Sequence, residues 1–181
     1  MGTVENPVDA SIFKTNAGTL FIEVAPRSAD YFLPQRMTAP RVTNEVDGDF
    51  TLEATIAPTP RKDWSSAELP LAAGPDFFFR IGLSATAGDK PNFTCYYADR
   101  GKLSGIPAFE APRNLTKPIR IRLQRRGRFV TGAHQQEGGA WTEFYPLNLQ
   151  YWPVKIQVGV VALNTSWEPF TAEFSDFKLS R

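Results

Sequence analysis

The feature that most constrains this chain is the alternating pattern between Pro118 and Arg181. Ile119, Ile121 and Leu123 alternate with Arg120, Arg122 and Gln124. Arg126-Gly127 reads as a turn, and Phe129 to His134 as the returning segment. Glu137-Gly-Gly turns the chain again before Trp141-Thr-Glu-Phe. Ile156, Val158, Val160 and Ala162 form the next run, and the residues between them are themselves fairly apolar, which predicts a central strand. Ala172 and Phe174 open a last strand whose pattern slips at Ser175-Asp176. A β-bulge there returns Phe177 and Leu179 to the inner face. A period of two fits a pleated strand with one face buried. Strands parted by glycine turns in this rhythm predict an antiparallel all-β domain.

The first half reads the same way. Leu20, Ile22 and Val24 share a face, following a loose N-terminal arm over residues 1–17. Residues 18–181 then form a single β-sandwich domain. Asp47-Gly-Asp is a turn, and Phe50, Leu52, Ala54 and Ile56 alternate with Thr51, Glu53 and Thr55 in the cleanest half-buried strand of the chain. Phe77, Phe79, Ile81 and Leu83 alternate with Phe78, Arg80, Gly82 and Ser84. Arg80 in so apolar a strand needs a carboxylate partner, because an unpaired buried charge is too costly. Phe93, Cys95 and Tyr97 share the inner face of the next strand. Residues 26–40, 58–76 and 103–118 read as loops. No helical period extends beyond one turn.

Charge and composition exclude several classes of function. The net charge is +1, which speaks against a nucleic-acid or anionic-membrane surface. The basic run Arg120, Arg122, Arg125, Arg126 and Arg128 reads as an exposed strand face and hairpin turn. The one cysteine, Cys95, forms no intramolecular disulfide and reads as a buried, inert thiol. The one histidine rules out a metal site of several histidines, and no cofactor motif is present. No apolar run is long enough to span a membrane. The N-terminus lacks a basic segment followed by an apolar one, so the default expectation is a cytoplasmic location.

Asp47-Gly-Asp-Phe-Thr-Leu-Glu-Ala-Thr-Ile, the Ile81-Gly-Leu strand, Arg-Leu-x-Arg-x-Gly, Glu-Gly-Gly-Ala-Trp, Val-Gly-Val-Val and Phe-Ser-Asp-Phe-Lys-Leu occur in this order between Gly18 and Leu179. The chain resembles the concanavalin A-like jelly rolls. It is similar in particular to a single-domain group related to the C-terminal domains of β-xylosidases. The resemblance implies two antiparallel sheets face to face, with carbohydrate bound on one face or at loops beside it. Related laminarinase-like glycosidases carry Glu-x-Asp-x-x-Glu on a strand. Here Glu45-Val-Asp47-Gly-Asp49 lacks the third carboxylate and reads as turn chemistry. Retaining hydrolysis needs two carboxylates about 5 Å apart, so the departure speaks against it.

Sugar binding calls for aromatic faces beside planar polar groups. Glu53, Arg80, Tyr96, Arg122, His134 and Gln157 alternate against core residues and are the strand candidates. Trp64 and Trp152 are loop candidates, as are Tyr151 and Trp167. Glu53, Arg80, Tyr96 and His134 are expected to share one groove, with Glu53 pairing with Arg80. The leading expectation is a non-catalytic, lectin-like module with a saccharide ligand. The second is a sandwich that docks a protein partner or a second copy of itself. The third is an enzyme using Glu53, His134 and Arg80 as acid, base and anion stabiliser.

Overall fold

The computed structural model describes residues 2–6, 11–28, 37–58, 63–86, 90–106, 112, 114–144 and 146–181. The described residues contain fifteen strands and no helix. In chain order these are β1 (Thr3–Glu5), β2 (Ser11–Asn16), β3 (Thr19–Val24), β4 (Arg41–Asp47), β5 (Phe50–Ile56), β6 (Ser65–Gly74), β7 (Phe77–Thr86) and β8 (Lys90–Asp99). They continue with β9 (Lys102–Gly105), β10 (Ile119–Arg126), β11 (Phe129–Gln135), β12 (Thr142–Glu143), β13 (Leu147–Asn148), β14 (Lys155–Asn164) and β15 (Phe170–Ser180).

Two antiparallel sheets form an all-β sandwich of the jelly-roll kind. The first sheet has the order β1-β4-β14-β6-β7-β8-β9. The second has the order β12-β11-β10-β5-β15-β3-β2, with β13 also paired to β11. Side chains pointing between the sheets fill the core. Phe79 of the first sheet meets Phe144, with ring centroids 5.6 Å apart. Phe50, Leu52, Phe79, Ile81, Ile121, Leu123, Val158, Val160 and Phe174 are all buried, as their alternation predicts.

Four segments differ from the sequence reading. The N-terminal arm is not loose: β1 pairs with β4, and β2 pairs with β3. Residues 102–105, read as turn and loop, are a strand, and so are 41–47, to which the sequence assigned only the turn at Asp47. The largest difference is 65–74, read as loop and found as a central strand between β14 and β7. Both faces of β6 are buried over most of its length, so its sequence shows no alternation. Its Ala, Glu and Pro are also poor strand formers. Pro70 offers no N–H to the ladder, and the pairing with β14 skips from Val158↔Leu71 to Val161↔Glu68 at that point.

The bulge in β15 is present: register shifts between Ser175 and Lys178, and Asp176 has φ 52°. Leu179 packs against the core, but Phe177 is exposed and not inward. The irregular stretch takes up Phe177 itself, so the inner face resumes one step later.

Candidate functional site

The first sheet has a polar cluster on the face turned away from the core. Leu69, Ile81 and Cys95 point toward the second sheet. Their neighbours Glu68, Arg80, Thr94 and Tyr96 therefore point the opposite way. Register sets Glu68, Gly82 and Thr94 in one row across β6, β7 and β8, and Pro70, Arg80 and Tyr96 in the next. Arg80 Nη1 donates to Glu68 Oε2 at 2.7 Å, and Thr94 Oγ1 donates to Glu68 Oε1 at 3.0 Å. The Arg80 guanidinium carbon lies 5.1 Å from the centroid of the Tyr96 ring. Glu68 is 1% exposed and Arg80 2%.

Gly82 makes the cluster geometrically feasible. A Cβ at this position would collide with the Ala67 carbonyl and with Glu68. The bare backbone of β7 lets Glu68 and Thr94 meet over it from strands two apart. Glycine here answers close approach rather than backbone freedom.

A second polar group occupies the β4 side of this face. The Arg41 guanidinium pairs with Glu5, and Thr43 Oγ1 donates to Glu5 Oε1 at 3.0 Å. Arg41 also donates to the carbonyls of Met37 and Ala39, both at 3.2 Å. Neither Glu68 nor this trio stood out in the sequence, because their strands did not.

The expected groove of Glu53, Arg80, Tyr96 and His134 is not formed. Arg80 and Tyr96 are cross-strand partners, as the expectation requires. Glu53 lies on β5 in the second sheet, on the outer side of the sandwich, and pairs with Arg120 at 2.5 Å. Arg122 is its register partner, bound to Glu143 and 4.3 Å from the Trp141 ring centroid. Arg80 therefore pairs with Glu68 rather than Glu53.

His134 is set opposite Ile121 and points inward, its ring centroid 5.2 Å from that of Phe93. Val130 and Ala133 have opposite parity on β11, so the segment's own alternation does not fix its face. Glu53, His134 and Arg80 thus occupy three separate environments and cannot act together on one bond.

Gln157 is exposed on the outer face of the first sheet. It lines a shallow depression of about 270 Å³ with Glu45 and Lys155. Trp152 is buried and meets Phe77 edge-on at 5.9 Å, so it plugs the core. Trp64 is exposed. Cys95 is buried on the core side between Thr94 and Tyr96. Burial raises its thiol pKa well above 9.0; the Glu68 carboxylate adds to the rise, and Arg80 opposes it. Among the described residues no three His, Cys, Asp or Glu side chains are grouped to hold a metal ion.

The chain belongs to the DUF1349 family, described as proteins of unknown function, whose pattern matches residues 10–181. No curated protein matches the sequence. Among solved structures, the fold is similar to a functionally unknown protein from Saccharomyces cerevisiae. The TM-score is 0.81 at 12% identity, covering 99% of this chain and 95% of that one. It is also similar to part of a xylan β-1,4-xylosidase from Bacillus halodurans C-125, with TM-score 0.69 at 9% identity. That match covers 98% of this chain and 39% of the xylosidase. A third likeness is to the CBM2 module of the evolved Dit of Lactobacillus casei BL23 phage J-1. Its TM-score is 0.56 at 12% identity, covering 95% and 88% of the two chains. At these identities the likeness establishes the fold.

Proposed function

We propose that the chain is a non-catalytic carbohydrate-binding module, and that the β8–β9 edge of its first sheet, where Tyr96 reaches the surface beside Gly105, receives the saccharide. The observation that carries this reading is the Glu68–Arg80–Thr94–Tyr96 cluster. Ionic groups are buried on the side of the sheet turned away from the second sheet, next to Tyr96. A buried ion pair is weak evidence of stabilisation, so its presence on this face favours a role in shaping a polar site. Tyr96 is half-buried beside Gly105, and its flat ring suits a pyranose face.

Carboxylate spacing supports the non-catalytic part. Both oxygens of Glu68 are already engaged. Of the other described carboxylates of this face, Glu5 lies three strands away in the same row, about 14 Å at ordinary strand spacing, and Glu45 and Asp47 lie two strands away and at least four residues further along, about 16 Å or more. Glycosidase pairs stand about 5–9.5 Å apart. For the carbohydrate part, two structural neighbours offer support by association: one is a xylan β-1,4-xylosidase, and another is called a CBM2 module.

A glycan array followed by titration of its hits tests the reading. Tyr96→Ala is expected to weaken binding about 5- to 150-fold, on the scale of truncating a binding hot spot, with melting little changed. An array with no hits, or hits indifferent to Tyr96→Ala, would refute this assignment.

A further inference from the structure

The end of the sandwich where β14 turns into β15 presents two exposed indoles on an ordered frame. Trp64 is 59% exposed and Trp167 74%. Trp64 immediately precedes β6 and has φ 62°. A bulky aromatic in the left-handed region is strained, and such strain persists only where the surroundings impose it. Here three hydrogen bonds impose it. Trp64 N–H donates to Ala85 O at 3.0 Å, and Trp64 O accepts from Thr165 N–H and Oγ1, both at 3.1 Å.

Arg27 is a second left-handed residue, with φ 53°, and its N–H donates to Ser166 O at 2.9 Å. Its guanidinium carbon lies 3.3 Å from the Trp167 ring centroid. Stacking on one side fixes the indole and holds the guanidinium against its face. Beneath them Asn164 is fully buried. Its Nδ2 donates to the carbonyls of Val24, Ala25 and Glu168, and its Oδ1 accepts from Ser166 N–H and Oγ. One side chain therefore ties together the segments that carry Arg27 and Trp167.

Exposed tryptophans add little to packing, but a rigid frame prepares them for a ligand. Their size selects the ligand class. Two indoles at these exposures offer roughly 300 Å² of surface, taking about 250 Å² for a whole side chain. A stable protein interface covers about 800 Å² on each partner. One or two sugar rings fit the smaller figure.

We propose that Trp64, Trp167 and Arg27 form a saccharide platform, with pyranose rings stacked on the indoles and Arg27 donating to ring hydroxyls. This surface is separate from the one around Tyr96 and stands or fails independently of it.

Acrylamide quenching of tryptophan fluorescence tests the platform, with cellohexaose, xylohexaose and laminarihexaose at millimolar concentration as probes. At least one probe is expected to shield the quenchable rings in the wild type and in Tyr96→Ala. The apparent affinity is expected to fall tenfold or more in Trp64→Gly and in Trp167→Ala. Trp64→Gly relieves the left-handed strain, so it is expected to melt at or above the wild-type temperature. Lack of shielding by all three probes, or shielding that survives both tryptophan variants, would overturn the proposal. So would Trp64→Gly melting well below wild type, or sedimentation in which the rings are shielded by concentration-dependent self-association.

Discussion

Thr94 donates its hydroxyl to Glu68 at 3.0 Å across Gly82, which stands between them on the intervening strand. Two strand spacings separate the partners, about 9.6 Å between backbones. Only side chains leaning over a bare backbone can close that distance. The contact therefore depends on three residues from three strands, and it governs the first two predictions.

Gly82→Ala is expected to destabilise the protein by about 1–3 kcal/mol, the usual scale of overpacking. Its new methyl meets the Ala67 carbonyl and Glu68. Gly105→Ala is the control, since a Cβ there stands 3.6 Å from the Tyr96 ring, an ordinary contact. Urea unfolding of both variants checks the difference. Equal midpoints would mean the sheet yields easily at Gly82.

Removing one partner of the Glu68–Arg80 pair leaves a buried charge. Glu68→Gln and Arg80→Met are each expected to lose roughly 3–5 kcal/mol. The double variant is expected to lose clearly less than the sum, because no charge is then stranded. A double-mutant cycle by chemical denaturation measures the coupling. Strict additivity would contradict the interaction seen at 2.7 Å.

Cys95 sets a pH dependence. Its thiol pKa is raised in the folded state, chiefly by burial. The unfolded chain therefore loses the proton first as pH rises. The thiol's contribution is complete below about pH 9.0 and is lost progressively above it. Melting temperature is expected to fall more steeply above that pH in the wild type than in Cys95→Ala. Native Cys95 is also expected to react slowly with thiol reagents, and rapid stoichiometric labelling without denaturant would contradict its burial.

Asn164→Asp preserves shape but replaces three donated hydrogen bonds with a carboxylate facing the carbonyls of Val24, Ala25 and Glu168. A loss of about 3 kcal/mol or more at neutral pH is expected from the unpaired groups and the buried charge. Thermal melts at pH 7 provide the check, and a melting temperature within 2 °C (~0.5 kcal/mol) of wild type would show that the frame tolerates the charge.

The sequence by itself determined the strands with one wet face. Phe50 to Ile56 and Ile119 to Gln124 alternate because each has one face in the core and one face outside it. That alternation does not tell that β5 pairs with β10, but the slip at Ser175-Asp176 announced the bulge. Tertiary structure decided the rest. Strand β6 is buried on both faces and so lost its alternation, and with it went Glu68, which pairs with Arg80. Alternation also does not say which sheet a strand joins. Glu53 and Arg80 each point away from the core, as their patterns require, yet they belong to opposite sheets and face opposite directions. His134 turned inward because β11 takes its register from Ile121 across the ladder. Period two is a local property of the backbone, whereas sheet membership and register come from pairing between segments distant in the chain.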